Sequence, residues 1–498
     1  MHSLKPAAAT VAIAFLLLGA TPPPKPYVPA APRDVVTHHV ARIAGQTIPY
    51  SARAGTITLR NDKDQVSARM FYVAYTKDGA SAQRPITFFY NGGPGSSTIW
   101  LHMGSFAPVR VVTANAKPNP SAPYGLLPNP YSLLDTTDMV FIDAPNTGFS
   151  RVIAYGTPKD FMGIDQDGRA FTQFIQRYVT QFGRWNSPKF LFGESYGTTR
   201  DAVLVNMLQD AGVQFNGVVF LSTILNFGLN GGGSIAGGDW GSVLYLPSEA
   251  ATAWYHHIVP NRPASLQTFL NRVEQFAGGE YLHALAQGDR IDPATRSDVI
   301  NKLHDYLGIS TAYIDESNLR IPYPRFEKQL LRSSDKMVGR LDSRFVTYGL
   351  DAAADSPEWD PADVSVTGAY VGAFEQYLRN QLHYSSNLIY RPTAYTQLGA
   401  RWDMKHDGND PPANVAPDIA AAMTKNPHLK VMVAGGYYDF ATPFFAGLYT
   451  FKHLGVAPAI ARNITYKYYE SGHMVYQNPA SLAQFKSDLV RWYRTAIP

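Results

Sequence analysis

The pentapeptide at residues 193–197, Gly-Glu-Ser-Tyr-Gly, constrains the fold of this chain more than any other feature. Residues 188–192 before it are mostly apolar and short enough for a buried strand, and residues 198–211 after it carry apolar side chains at helical spacing. A strand, a sharp turn and a helix around Gly-x-Ser-x-Gly form a nucleophile elbow, in which the serine hydroxyl is exposed at the top of a sheet. The segment therefore predicts that Ser195 is a catalytic nucleophile of a serine hydrolase.

Strand-like and helix-like patterns alternate along much of the chain and indicate its fold class. Helical patterns such as residues 165–181 separate short runs of β-forming residues. Strands that alternate with helices pack as a mostly parallel twisted sheet with helices on both faces, so an α/β fold is expected. The predicted strands, the first two forming an antiparallel pair, are residues 56–59, 68–75, 86–90, 139–142, 190–192, 218–221, 431–434 and 464–469.

The pattern changes from about residue 226 to about residue 383, where charged helical segments replace buried strands. Residues 265–276 and 296–307 are examples. We interpret this region as a mainly helical cap inserted into the sheet core. The predicted organisation is a signal peptide at 1–20, a proline-rich tether at 21–45, the first part of the core at 46–226, the cap at 227–383 and the second part of the core at 384–498.

The first twenty residues have the pattern of a secretory signal. Lys5 precedes an apolar run at residues 7–18, and Gly19 and Ala20 form a small-residue exit. The run is too short to cross a bilayer comfortably, which argues against a stable membrane span. We therefore expect an exported protein, periplasmic or secreted, with the proline-rich segment 21–45 as an extended tether.

Composition excludes several other classes of protein. The formal charge of +4 is small for 498 residues, and no basic run is interleaved with aromatic residues, so nucleic acid is not an expected partner. The absence of cysteine excludes thiol catalysis, disulfides and cysteine-based metal sites. No His-Glu-x-x-His motif occurs, so we expect no metal and no cofactor.

A serine nucleophile needs a general base and an acid that orients the base. In an elbow of this kind the chain order is serine, then aspartate or glutamate, then histidine. Asp439 follows the predicted strand 431–434, and His473 lies on a glycine-containing loop after the predicted strand 464–469. Because catalytic groups gather at the carboxyl ends of strands in such sheets, Ser195, Asp439 and His473 predict a catalytic triad.

A glycine-rich loop at residues 91–97, Asn-Gly-Gly-Pro-Gly-Ser-Ser, directly follows the predicted strand 86–90. Glycine lets backbone N–H groups approach a substrate oxygen closely. We therefore predict that this loop and the N–H of Tyr196 form an oxyanion hole. A phosphate-binding loop is the alternative, but the lysine of the G-x-x-x-x-G-K-[ST] motif is missing.

With these segments the chain resembles the serine carboxypeptidases and is most similar to their bacterial members. The matching segments are residues 91–97, 127–132, 141–150, 193–197, 439 and 472–474. The resemblance implies an α/β-hydrolase fold and the removal of single residues from peptide C-termini. The expected partners are therefore peptide substrates with a free C-terminus.

The resemblance also implies roles for individual catalytic residues. Ser195 would be the nucleophile, His473 the general base and Asp439 the acid that orients it. The backbone N–H groups of Gly93 and Tyr196 would be the oxyanion donors.

A second group of residues is implied to bind the substrate's terminal carboxylate, namely Asn91, Gly92 and Glu194. Two carboxylates in contact cannot both be ionised, so Glu194 would have to share a proton with the substrate.

The chain departs from the family pattern in one stretch, residues 101–108, where relatives usually carry one or two glutamates and this chain has none. We expect His102 or Arg200 to supply part of the missing carboxylate contact, unless Arg200 is only a structural ion-pair partner. The departure leaves two alternatives open: an esterase or acyltransferase that uses the same triad, and a cell-envelope binding protein with an inactive hydrolase fold.

Overall fold

The computed structural model describes residues 26–230, 238–398 and 401–497. The predicted signal peptide at 1–20 lies outside the described residues, as does the beginning of the predicted tether. Among the described residues, no helix combines the length and the apolar character needed to cross a membrane.

Fourteen strands lie in the described chain. They are β1 (Val35–Ile43), β2 (Gln46–Arg60), β3 (Val66–Lys77), β4 (Ile86–Tyr90), β5 (Val109–Val111), β6 (Leu126–Pro128), β7 (Asp138–Ile142), β8 (Arg151–Val152), β9 (Lys189–Glu194), β10 (Gly217–Leu221), β11 (Lys336–Val338), β12 (Val346–Tyr348), β13 (Lys430–Gly436) and β14 (Ile464–Tyr469).

Fifteen α-helices accompany these strands in the described residues. They are α1 (Ile99–Leu101), α2 (Ile164–Gln181), α3 (Tyr196–Asp210), α4 (Asp239–Tyr255), α5 (Leu266–Phe276), α6 (Leu282–Gln287), α7 (Pro293–Leu307), α8 (Thr311–Glu316), α9 (Tyr323–Gln329), α10 (Pro361–Asn380), α11 (Tyr395–Leu398), α12 (Ala416–Lys425), α13 (Phe444–Lys452), α14 (Pro458–Ala461) and α15 (Pro479–Ala496).

Ten of the strands form one mixed sheet in the order β1-β2-β3-β7-β4-β9-β10-β13-β14, with β8 paired to β3. Six neighbouring strands of this sheet run parallel, namely β7, β4, β9, β10, β13 and β14. The pairs β1–β2, β2–β3 and β3–β7 are antiparallel. All five residues of β4 and of β10 are buried, as expected for parallel strands that are covered on both faces. The carboxyl ends of β4, β9, β13 and β14 therefore meet at one edge of the sheet.

Helices cover both faces of this sheet. One apolar core joins α2, α3 and α12 to one face, and a second joins α10 and α15 to the other. The predicted α/β class is therefore confirmed. All eight predicted strands lie within observed strands, and β2 and β3 form the predicted antiparallel pair.

The structure corrects the predicted tether at 21–45, because β1 occupies Val35–Ile43 and pairs with β2 along its whole length. Side chains of β1 alternate in burial, and the strand contains no proline. The proline-rich composition therefore stops before this segment, whose β-forming residues add an edge strand to the sheet.

Between β10 and β13 the described chain forms α4 to α12 and the short antiparallel pair of β11 and β12. Helices α4 to α9 enclose a third apolar core, which also includes Phe440 and Phe444 next to the candidate site. We interpret the predicted cap, 227–383, as this helical insertion.

Candidate active site

Ser195 lies on a sharp turn between β9 and α3, with φ 63° and ψ −131°. A positive φ is strained for a residue with a side chain and is held here by the bond from Ser195 N to the Leu221 carbonyl at 3.0 Å. A Cβ atom at Gly193 would collide with the Gly197 carbonyl, which explains the glycines of the pentapeptide. The predicted elbow geometry is thus present.

A buried aspartate that the sequence analysis missed holds this turn. Asp201 of α3 accepts a hydrogen bond from Gly193 N at 2.8 Å, and its second oxygen accepts one from the Tyr90 hydroxyl. Burial raises the pKa of the Asp201 carboxyl. Its sequence context gave no signal, because the contact depends on how α3 packs against β9.

His473 and Asp439 are in direct contact, as the triad prediction requires. His473 Nδ1 lies 2.8 Å from Asp439 Oδ2, and Asp439 is completely buried. The aspartate also accepts hydrogen bonds from the backbone of Ala441 at 2.8 Å and from the backbone and hydroxyl of Thr442 at 3.0 and 2.8 Å. Asp439 acts only as an acceptor in these contacts, which places the imidazole proton on Nδ1 and leaves Nε2 free to accept a proton.

The protonation of His473 depends on opposing effects. Burial lowers its pKa, but the charges of Asp439 and Glu194 outweigh burial, so the pKa of His473 is raised above its usual value. A general base must be neutral to act, and this shift moves that requirement to higher pH.

Seven of the eight predicted site residues line one cavity of about 460 Å³. The eighth, Asp439, lies behind His473. The lining residues among the predictions are Asn91, Gly92, Gly93, Glu194, Ser195, Tyr196 and His473.

The glycine loop and the elbow touch through their backbones. A Cβ atom at Gly92 would lie 2.6 Å from the Gly197 nitrogen, and Gly93 has a φ of 112°. Only glycine fits this close approach and this conformation. The contact brings the backbone of the loop beside the N–H of Tyr196, and Gly93 and Tyr196, the residues of the two predicted oxyanion donors, line one cavity.

Glu194 is buried and lines the same cavity, and its two carboxyl oxygens differ in their hydrogen bonds. Oε1 accepts hydrogen bonds from Asn91 Nδ2 at 2.9 Å and from the Tyr476 hydroxyl at 3.2 Å. Oε2 is buried and has no hydrogen-bond partner in the described residues. Burial raises the pKa of Glu194 to about 7. When the carboxyl is protonated, its proton therefore belongs on Oε2, from which it can be donated to a ligand.

Tyr476 is a residue that the sequence analysis missed. Its hydroxyl gives Glu194 a partner although residues 101–108 contain no glutamate. A Cβ atom at Gly104 would collide with the Tyr476 ring, so that stretch makes room for the tyrosine.

The expectation that His102 contacts a substrate carboxylate is wrong. His102 Nε2 lies 2.7 Å from the Tyr75 hydroxyl, and its ring stacks on Phe141 with centroids 4.3 Å apart. Burial lowers the pKa of His102 to about 3, so the ring is neutral. The π-helical turn His102–Phe106 directs the side chain into the sheet's apolar core.

Arg200 is likewise not a substrate contact. It forms a buried ion pair with Asp167 at 2.6 Å and donates to the Asn91 carbonyl at 2.8 Å, behind the glycine loop. This is the structural role that was the alternative in the sequence analysis. Arg200 supports the loop from its buried side.

One group of side chains in the described chain has ligand atoms spaced for a metal ion, Asp165, His406 and Asp407, within 4.8 Å of one another. His406 already uses both ring nitrogens, towards Asp165 at 2.6 Å and Asp418 at 2.8 Å. Two carboxylate partners favour a charged imidazolium, whereas a metal needs a neutral nitrogen. The group fits an ion-pair cluster that joins the 401–415 loop to α2 and α12.

A family model described as serine carboxypeptidase matches residues 44–284. Serine carboxypeptidase-like 5 of Arabidopsis thaliana is 26% identical over 157 residues, which is 30% of this chain and 33% of the relative. Pheromone-processing carboxypeptidase KEX1 of Cryptococcus gattii is 28% identical over 176 residues, which is 34% of this chain and 25% of the relative.

These alignments span about a third or less of the curated relatives' length. The crystal structure of KEX1, a prohormone-processing carboxypeptidase from Saccharomyces cerevisiae, is similar over 89% of this chain and 91% of that one, with a TM-score of 0.56 and 16% identity. The structural likeness confirms the α/β-hydrolase fold, and the family match confirms the resemblance to serine carboxypeptidases.

Proposed function

We propose that this chain, which resembles the serine carboxypeptidases over residues 44–284, is a serine-type carboxypeptidase that releases C-terminal residues from peptides. The observation that carries the proposal is the buried carboxyl of Glu194, a residue that lines the same cavity as Ser195 and His473 and whose Oε2 has no hydrogen-bond partner in the described residues. A group that can donate a proton to a carboxylate, next to a nucleophile, favours substrates that end in a free carboxylate.

In the proposed reaction the Ser195 hydroxyl attacks the carbonyl of the last peptide bond. His473 accepts the serine proton at Nε2 and donates it to the leaving amine, while Asp439 holds the ring and stabilises its charge. The N–H groups of Gly93 and Tyr196 would donate to the developing oxyanion. The resulting acyl-enzyme is then hydrolysed by a water that His473 activates.

The terminal carboxylate would be bound by three groups beside the elbow. Protonated Glu194 donates from Oε2, Asn91 has a second amide hydrogen, and Gly92 contributes backbone. Burial removes the Glu194 carboxyl from water and raises its pKa to about 7. The neutral form also avoids the repulsion that an ionised Glu194 would exert on the substrate carboxylate.

The proposed partners are peptides with a free C-terminus, and the reaction needs no cofactor. Export to the periplasm or outside of a bacterial cell remains a prediction that rests on the leader-like pattern of residues 1–20.

The decisive test compares one N-blocked dipeptide as the free acid and as the C-terminal amide. The free acid should be cleaved much faster, and mass spectrometry of a peptide mixture should show ladders that shorten from the C-terminus. Equal rates for the two forms would contradict the carboxypeptidase proposal.

The lack of glutamate in residues 101–108 favours a second candidate, an esterase or acyltransferase with the same triad. Such an enzyme would turn over esters that have no free carboxylate as well as it turns over free acids. A binding protein with an inactive site would cleave neither, and it would not react with an organophosphonate at Ser195.

A further inference from the structure

Arg340 lies in the cavity of Ser195 and His473 and has none of the roles described so far. It follows β11 in the helical insertion, and its side chain is exposed within the cavity. Nothing near it in the sequence marks it as a site residue, because only tertiary packing brings this segment to the elbow.

The backbone around Arg340 is fixed to the candidate triad. The Arg340 carbonyl accepts a hydrogen bond from Phe440 N at 2.9 Å, one residue after Asp439. The next carbonyl, of Leu341, accepts one from His473 N at 2.6 Å. The guanidinium is therefore carried by a segment that is attached to both triad loops, which gives it a defined place relative to the reacting bond.

The acidic groups around Arg340 leave its charge without a close ion pair. The charges of Asp360, Glu327 and Asp439 raise the pKa of Arg340. In the described residues, none of their oxygens lies within 4.0 Å of the guanidinium nitrogens. Asp360 accepts two backbone N–H groups, Asp439 binds the imidazole, and burial strongly raises the pKa of Glu327. An arginine has five N–H donors, so most of them can serve a ligand in the cavity.

Arg340 is also distinct from the proposed site for the terminal carboxylate. Glu194 is bonded to Asn91 and Tyr476, whereas the backbone at Arg340 and Leu341 is bonded to the loops that carry Asp439 and His473. Glu194 and Arg340 both line the cavity, and no hydrogen bond or ion pair joins their side chains in the described residues. A substrate whose terminal carboxylate is at Glu194 would therefore present a different group to Arg340.

Two aspartates at the same cavity could instead attract a cationic side chain. Both already have donors: Asp360 accepts the N–H groups of Leu341 and Ala362, each at 2.9 Å, and Asp363 accepts the Thr367 hydroxyl at 2.7 Å. Among the described residues that line the cavity, Arg340 is the one arginine or lysine, and its side chain has no close ion pair in that part of the chain, so an anion is favoured.

We propose that Arg340 is a specificity-determining residue that binds the side-chain carboxylate of an aspartate or glutamate at one of the two residues joined by the scissile bond. This proposal rests on the proposed carboxypeptidase function. The planar guanidinium matches a carboxylate with two parallel N–H donors, a geometry that lysine or glutamine cannot reproduce.

The test uses two pairs of N-blocked dipeptide free acids, in which glutamate is exchanged for glutamine at the last or at the penultimate residue. The ratio of kcat/KM for the glutamate and glutamine peptides is measured at pH 6. At one of the two positions the wild-type ratio should be about 10 to 100, the range expected for hydrogen bonds to a charged group. Arg340→Gln should bring that ratio to about 1, and Arg340→Lys should give an intermediate value.

Arg325→Gln is the matched control, because Arg325 lies on α9 in the same insertion and pairs with Asp355 at 3.3 Å outside the cavity. It removes the same charge and should keep the wild-type ratio. Since each ratio compares two substrates on one enzyme preparation, partial misfolding of a variant does not affect it.

Several results would overturn the proposal. They are a wild-type ratio near 1 at both positions, a ratio that Arg340→Gln does not change, and a preference for lysine over glutamine. An equal loss for all free acids that spares an ester without a carboxylate would assign Arg340 to the terminal carboxylate instead. Release of no residue from any free acid would refute the carboxypeptidase function itself.

Discussion

The role of Glu194 can be tested through the pH dependence of peptide cleavage. Burial raises the pKa of this carboxyl to about 7, and only its protonated form can donate from Oε2 to a substrate carboxylate. Above the pKa the protonated fraction falls tenfold per pH unit, equivalent to about 1.4 kcal/mol. About a tenth of the enzyme would be competent at pH 8, and about a hundredth at pH 9.

The assay is kcat/KM for an N-blocked dipeptide free acid from about pH 5 to about pH 9, since this constant reports ionisations of the free enzyme. The acidic side of the profile should follow His473, whose raised pKa must be exceeded for the base to be neutral. The alkaline side should fall with a midpoint near Glu194's pKa of about 7. The wild type should therefore show a narrow maximum.

Glu194→Gln should flatten the alkaline fall, because an amide donates a hydrogen bond at every pH in this range. An ester substrate without a carboxylate should show no alkaline fall even with the wild type. Glu280→Gln, which removes a surface carboxyl paired with Lys302, is the control and should keep the wild-type profile. An alkaline fall that persists in Glu194→Gln, or that the ester shares, would refute this reasoning.

Three further predictions concern the triad and a charged cluster. Ser195→Ala should reduce turnover by thousands-fold or more, as in other triads. It should leave the thermal unfolding temperature nearly unchanged, because only a hydroxyl at the cavity is lost. An organophosphonate adduct at a residue other than Ser195 would contradict the assignment of the nucleophile. Asp439→Asn should reduce kcat by about 10⁴-fold, because the wrong tautomer of His473 is then favoured. Asp410→Asn, which removes a surface ion pair with Lys405, is the control and should have a nearly normal kcat. The opposite pattern would disprove that Asp439 is the acid of the triad. Hydrogen bonds to Asp418, which has the larger effect, and to Asp165 raise the pKa of His406 to about 9. The contribution of His406 to the free energy of unfolding should therefore be complete below the unfolded pKa of about 6.5 and disappear as pH rises through 9. His406→Gln should therefore cost on the order of 1–2 kcal/mol at pH 6, after allowance for solvent screening, and much less at pH 10; denaturant unfolding at both values measures this, and an equal loss at both would contradict it.

The sequence by itself determined the sheet and the place of the elbow, because these depend on local patterns. Runs such as Ile86–Tyr90 and Gly217–Leu221 are apolar throughout and short, which identifies central strands without knowledge of their neighbours. The glycines around Ser195 are required by a backbone turn that only a strand-to-helix connection produces. The tether's boundary was wrong at Val35–Ile43, because an edge strand has a weaker pattern and depends on pairing with β2.

The candidate site was predictable where its residues follow strands. The structure places Ser195, Asp439 and His473 after the strands from which they were predicted, and their catalytic roles stay predictions. Parallel strands present their carboxyl ends at one edge, so position along the chain was enough to bring these side chains together.

Only the tertiary structure decided what surrounds them. His102 and Arg200 carry suitable chemistry but point into the core, towards Tyr75 and Asp167. Tyr476 hydrogen-bonds to Glu194, and Arg340 lines the cavity from a segment with no motif. The direction of a side chain depends on which neighbours exclude it from water or pair with its charge. Those neighbours are set by packing between segments that are distant along the chain, and a local pattern does not contain this information.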